Sequence, residues 1–444
     1  MRKDYEVDVD NFSAQSRLHE CSCSAIGLVE DYIVYYDRDD FGTSGGIPEV
    51  LPRHSSPNMR VKTPPVELIG KQVGTPEQQP NHIPRIDVLR AVAILMVFSS
   101  HFVIAIYGNH GYSWIGNWYH WGDSPSLLGQ LARLSIFDGN LGVSLFFVIS
   151  GLCIRLSHLG SRNFSIPYFY WRRFWRIYPS YLLALCLFII WKRYGNLNDI
   201  LAHLFLVHNF SRDYFESINS PFWSLALEVQ VYLLYPCLLA LHQRLGVWRT
   251  GVLFASLSGI PALIGGKTFL HFCHLPDSFG VITQMPFSLW FTWYMGFLLA
   301  DALVNRSSPG MLSRLILVGV LLLHPAVNLY RPLLPFRLPV AGIMLTLLTF
   351  EYLKGPSIFP AARRIWAYLG ICSYSFYLYF DQLIWPCLNS LTSWSHITSR
   401  NVLFAVGFPM TLLVIFAFSY LAYRTIELKS ISFGRSLYSR LTCK

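Results

Sequence analysis

Between residues 88 and 423 the sequence runs as a series of apolar stretches of about 20 residues parted by short polar breaks. At about 1.5 Å of rise per residue, each stretch is long enough to cross a hydrocarbon core about 30 Å thick. Lipid offers no hydrogen bonds, so spanning segments with no barrel-like alternation must be helices. The spans are expected near 88–108, 137–158, 178–193, 222–242, 250–266, 284–304, 311–329, 334–353, 366–387 and 402–423. The third is short, and the seventh and eighth meet at a corner rich in proline (Pro325, Pro332, Pro335, Pro339). The expected fold is an all-α integral membrane protein, a bundle of about ten transmembrane helices. Composition agrees: 14% of residues are charged, against roughly 25% in soluble domains.

Residues 1–84 differ in kind, with runs such as GTSGGIPEVLPRHSSP and TPPVELIGKQVGTPEQQP. So polar and Pro-rich a segment cannot bury enough surface to order itself, and a disordered cytosolic tail is expected. Ile26–Tyr36 could form a short strand or helix within it. The membrane region then occupies 85–435, and 436–444 is a short basic C-terminus. No secretory leader is expected, because the first long apolar run begins near Val88. Of nine cysteines, Cys153, Cys186, Cys237, Cys372 and Cys387 lie in apolar segments and read as small buried hydrophobes.

The formal net charge is +10, but the cations sit between apolar runs rather than in one patch, which argues against a nucleic-acid partner. With the N-terminus inside, sixteen Lys and Arg face the cytosol, from Arg162 to Lys444. Eight face outward: Arg133, Lys192, Arg193, Arg212, Lys267, Arg331, Arg337 and Arg400. That bias predicts both termini in the cytosol of a multi-pass cell-membrane protein, a bacterial inner membrane being the expected one.

An ionisable group inside a span costs roughly 2.5–3.5 kcal/mol on insertion scales, so each one marks a candidate site. The set is Arg90, His101, Glu228, Asp301, His324, Glu351 and Asp381. Arg90 and His101 are eleven positions apart on the first span, about 16 Å along one helical face. A neutral imidazole at that depth suits a general base acting on an alcohol; its structural alternative is a packing histidine bonded to a carbonyl. Glu228 lies at a similar depth, with Ser224, Tyr232 and Tyr235 on its face; the alternative is a partner for a buried cation or hydroxyl. Arg173 and Arg176 share a face at the cytosolic end of the third span and suit phosphate or pyrophosphate, or else set topology and touch lipid headgroups. Asp301 and Glu351 read as interfacial and His324 as packing, while Asp381 shares the depth of His101. His271, Cys273 and His274 carry ligand atoms but no second pair lies near them, so no metal is expected.

Taken together these segments resemble the acyltransferase 3 family of bacterial membrane O-acyltransferases, from about Arg85 to Arg435. RIDVLRAVAILMVFSSH carries the opening Arg90 and His101, and GVSLFFVISGLCI the second-span pattern with Phe146, Phe147, Ser150 and Gly151. Arg173 and Arg176 meet the R-x-x-R element, followed by Ile177 and Pro179. Trp223, Ser224, Leu225, Glu228, Tyr232 and Pro236 fit the fourth-span pattern; LGICSYSFYLY and YRTIELKSISFGR resemble the last helices. The chain departs from the family at Phe380, Asp381 and Gln382, where a His-x-Pro-like element is common, and at Lys429, where proline is.

The resemblance implies transfer of an acyl group, most often acetyl, from cytosolic acyl-CoA to a hydroxyl on a glycan, glycolipid or other acceptor. No cofactor is expected to be bound permanently; acyl-CoA is the donor substrate. Arg90, Arg173 and Arg176 would hold the donor, His101 would act as base on the acceptor or first take the acyl group itself, and Glu228 would orient the imidazole or stabilise its charged form. Ser150, Tyr232 and Asp381 are candidates for the substrate pocket, Ser150 and Gly151 also letting the second span pack closely. Two other classes carry the same residues: a transporter with an intramembrane His/Glu/Asp relay, and a non-catalytic scaffold. The first predicts no CoA binding, the second no effect of His101 on glycan chemistry.

Overall fold

The computed structural model describes residues 84–112, 138–161, 164–264 apart from 212, 287–329 apart from 306, 333, 336–355, and 363–442 apart from 398. The polar tail, the Ile26–Tyr36 patch and the His271–His274 cluster lie outside the described residues. Every regular element among the described residues is helical. In order these are α1 (Pro84–Tyr112), α2 (Gly139–Gly160), α3 (Ile166–Lys192), α4 (Leu197–Leu204) and α5 (Phe222–Ile264). There follow α6 (Trp290–Val304), α7 (Met311–Leu329), α8 (Arg337–Lys354), α9 (Arg363–Ile371), α10 (Ser373–Ser395), α11 (Arg400–Ala422) and α12 (Leu428–Thr442).

Among the described residues, six segments are long and apolar enough to cross a bilayer: Arg85–Tyr107, Gly139–Gly160, Ile166–Lys192, Phe222–Ile260, Met311–Asn328 and Arg400–Thr442. Trp290–Val304 is apolar but shorter. The expected segments 222–242 and 250–266 both fall on α5, which breaks at Gly246, where φ is 76°. Expected segment 366–387 is instead two helices, interrupted at Cys372. The short α9 lies backbone to backbone on the first turn of α1: a Cβ on Gly370 would stand 1.9 Å from the Asp87 carbonyl oxygen. α3 starts well before residue 178 because Ser165 caps it, accepting from Tyr168 N. Its first turns are then anchored by aromatics, Trp171 Nε1 donating to Gly434 O at 2.8 Å.

α1, α2, α3, α5, α6 and α10 meet around a core of Phe98, Phe102, Tyr181, Tyr235, Trp293, Phe297, Phe376 and Phe380. Outward-facing side chains on α7 and α11 are large and apolar, among them Met311, Leu322 and Leu413, as expected where lipid is the solvent. The tightest crossing joins α2 to α6 through reciprocal glycines. A Cβ on Gly151 would lie 2.1 Å from Trp293 O, and one on Gly296 2.0 Å from Val148 O. Only glycine permits that approach, and it sets Ser150 beside Trp293.

Near the Lys192 end of α3, α4 and the turn His208–Phe210 bury two imidazoles face to face, His203 on His208, with ring centroids 3.9 Å apart. His203 Nδ1 bonds the Asp199 backbone oxygen at 3.1 Å, with the Asp199 carboxylate 2.8 Å away. Burial, and next the neighbouring His203, push the His208 pKa down to about 3. The folded protein therefore keeps His208 neutral where the unfolded chain, with a pKa near 6.5, takes up a proton. The unfolded state binds more protons below about pH 6.5, so stability falls as pH drops through that window, by up to about 1.4 kcal/mol per unit. Thermal denaturation in detergent between pH 7 and pH 5 should show a steeper loss for the native chain than for His208→Phe. Equal slopes would remove His208 as the source.

Candidate active site

Three cations converge on one cavity. Arg90 stands one turn after Asp87 on α1, and its Nη1 donates to Asp87 Oδ1 at 2.9 Å while Nη2 reaches Cys153 Sγ at 3.5 Å. Arg173 and Arg176, three residues apart on α3, line the same cavity as Arg90. The Arg173 guanidinium lies over the rings of Tyr232 (5.4 Å) and Phe169 (5.7 Å), a placement its planar, weakly hydrated fork favours. Arg172 turns away to donate to Ser157 Oγ at 2.8 Å. The cavity holds about 820 Å³ of empty space, its open mouth included.

Further in, the polar stripe of α5 supplies Glu228 and, one turn on, Tyr232. Tyr232 donates its hydroxyl proton to Glu228 Oε1. With that proton committed, it must accept from Ser150 Oγ at 2.8 Å, and Ser150 in turn accepts from Trp293 Nε1 at 3.2 Å. A directed chain thus runs from Trp293 through Ser150 and Tyr232 to Glu228, and the α2–α6 glycine contact fixes its start. At the far end Ser224, Phe146 and Tyr377 line the cavity.

Beyond that end lies a second group. His101 Nδ1 stands 2.7 Å from Asp381 Oδ1, and beside a carboxylate Nδ1 carries the hydrogen, leaving the lone pair on Nε2. Gln382 Nε2 donates to Asp381 Oδ2 at 3.1 Å and to Asn219 Oδ1 at 3.0 Å; Asn219 Nδ2 donates to Leu378 O at 3.1 Å. The imidazole packs edge-on against Phe380, with centroids 5.0 Å apart. Both side chains of the pair remain 21% exposed, enough for a third group to reach them.

Of the eight residues singled out in the sequence, Arg90, Ser150, Arg173, Arg176, Glu228 and Tyr232 line the one cavity. His101 and Asp381 form the separate pair. Glu228 does not take the orienting role expected of it: the His101 imidazole donates to Asp381, while Glu228 accepts from Tyr232 on its own face. Ser150 does more than permit close packing, since its hydroxyl joins the cavity's polar chain. Asp301, expected to be interfacial, accepts from Arg155 Nε at 2.7 Å and ties α6 to α2. Sequence reasoning passed over Asp87 and Tyr377 and noted Gln382 only as a departure from the family pattern. Asp87 had a signal, an acid three residues before Arg90; the other two depend on which face of α10 turns inward.

The family model described as an acyltransferase domain matches residues 83–420. The chain is similar to the peptidoglycan O-acetyltransferase OatA of Listeria monocytogenes, 27% identical over 179 residues, which is 36% of this chain and 24% of that protein. It is also similar to an uncharacterized protein of Haemophilus influenzae, 35% identical over 122 residues, 23% of this chain and 50% of that one. The chain thus spans a quarter to a half of the length of these relatives. No solved structure matches it.

The Glu228 network sets a stability expectation. Glu228→Gln retains an acceptor for Tyr232, whereas Glu228→Ala leaves a buried hydroxyl chain without its end and should cost about 1–3 kcal/mol. Melting temperatures of the two purified variants should differ accordingly; equal losses would mean that the carboxylate's charge, not its hydrogen bond, matters.

Proposed function

The chain belongs to the acyltransferase 3 family, and from that premise we propose that it moves an acyl group, acetyl in the first instance, from acyl-CoA to a hydroxyl of a glycan or glycolipid. One observation carries the reading: the cavity lined by three arginines is also lined by Tyr377, one turn before Asp381, which holds His101. Arg90, Arg173 and Arg176 suit the CoA phosphates, since planar guanidiniums bind phosphate oxygens in pairs. Arg90 sits near the start of α1, and the distribution of Lys and Arg favours the cytosol on that side, where acyl-CoA is made. The pantetheine arm enters the cavity, and the acceptor meets His101 from the opposite side.

In the reaction His101 Nε2 takes the proton of the acceptor hydroxyl as its oxygen attacks the thioester carbonyl. The C–O bond forms, the C–S bond breaks, and the CoA thiolate leaves with the proton that His101 returns. Asp381 holds the imidazole by Nδ1 and stabilises its charged form, as the acidic member of a triad does. Glu228 keeps the Tyr232 and Ser150 hydroxyls aligned beside the thioester. Acyl-CoA is substrate here rather than a resident cofactor. The printed name of the Listeria relative supports a glycan acceptor.

The test uses the full chain in lipid vesicles, labelled acetyl-CoA and a panel of glycan acceptors. His101→Ala should lower transfer by about 100-fold or more while inserting normally; retained transfer would sink the role of His101. Arg173→Lys should raise the KM for acetyl-CoA by about tenfold with kcat little changed. An effect on membrane insertion alone would return that arginine to a topological role.

A further inference from the structure

We propose that Tyr377, with Phe146 across from it, closes the donor cavity and sets the length of acyl group the protein accepts; this rests on the acyl-CoA reading above. Phe146 lies seven residues, about 10 Å along α2, from Cys153, the residue that meets Arg90. It therefore lies toward the cavity end away from the cations, which Val143, one turn further along α2, also lines. There its ring meets Tyr377 nearly at right angles, with centroids 6.2 Å apart. Tyr377 is buried and doubly tethered: its hydroxyl donates to Pro221 O at 2.8 Å and meets Ser224 Oγ at 2.5 Å.

What lies behind the ring gives this closure its meaning. Asp381 is four residues on from Tyr377 along α10, on the same face and about 6 Å further. Phe380 packs against Tyr377 at 6.0 Å and against His101 at 5.0 Å. Tyr377 thus lines the cavity one turn before Asp381 on the same helix, and Phe380 touches both its ring and the His101 imidazole. A thioester threaded from the arginines must lodge its acyl group in the space bounded by Phe146, Ser224 and Tyr377. A short acyl group fits there with its carbonyl near the pair; a long chain runs into two aromatic rings. Because Pro221 and Ser224 flank the start of α5, the tether also fixes the ring to the loop that carries Asn219, the Gln382 partner. Tyr377 is a specificity-determining residue in this account, not one that touches the transferred proton.

The experiment compares acetyl-, butyryl- and octanoyl-CoA as donors for the full chain, Tyr377→Phe and Phe146→Ala, with Phe146→Leu as a milder version. Tyr377→Phe removes both tethers but keeps the ring; Phe146→Ala removes the opposing wall. The readout is the ratio of kcat/KM for octanoyl over acetyl within one preparation, which cancels any change in folded fraction. A rise of about tenfold or more in that ratio, expected when a pocket wall is relieved, supports the proposal. Acetyl transfer by the native chain with ratios unchanged in all three variants overturns it and leaves the acyltransferase reading standing. Use of no acyl-CoA by the native chain overturns both.

Discussion

Hydrocarbon cannot solvate a charge, so each ionisable side chain in this bundle must find its counter-group on the helices around it. That demand organises the interior. Arg90 is held by Asp87, Arg155 by Asp301, and His101 by Asp381; Glu427, buried in the π-helical segment Tyr423–Glu427 that joins α11 to α12, accepts from Ser375 Oγ at 2.6 Å. Most of these contacts cross between helices distant in sequence, so they specify which helices are neighbours as well as neutralising charge. Apolar packing alone specifies less, because lipid tails compete with it on equal terms.

Within that frame, close backbone contact decides the position of the site. The reciprocal glycines of α2 and α6 bring Trp293 against Ser150. The hydroxyl chain that follows aligns Tyr232 and Glu228, and the Tyr232 ring in turn lies against the Arg173 guanidinium. A methyl group at either glycine would push the helices apart and loosen a chain of contacts that ends at the arginines. The site is thus built from the crossing outward, each contact depending on the one before it.

Much of this was legible in the sequence, and the failures share a cause. Hydropathy gives the depth of a residue in the bilayer, and spacing gives the face it shares with neighbours on its own helix. Arg173 and Arg176 can therefore be grouped, and with Arg90 assigned to one end, from the order of residues alone. Depth does not give the direction a helix faces. Glu228 and Asp381 stand at similar depths relative to His101, and only packing of α1 against α10 selects Asp381. The break at Cys372 is hidden for a related reason: no proline marks it, and the close approach of Gly370 to Asp87 is a tertiary contact. In α5, by contrast, the two expected apolar runs lie on either side of Gly246, a glycine whose place between them is visible in the sequence.

The central claim is one arrangement, a donor held by arginines with its thioester directed toward His101 and Asp381. An experimental structure of the full chain in lipid with bound acetyl-CoA measures it directly. Phosphate oxygens are expected within hydrogen-bonding distance of Arg90, Arg173 or Arg176, with the thioester at the Tyr377 end of the cavity. A nucleotide bound elsewhere, or a thioester directed away from Tyr377, would contradict it.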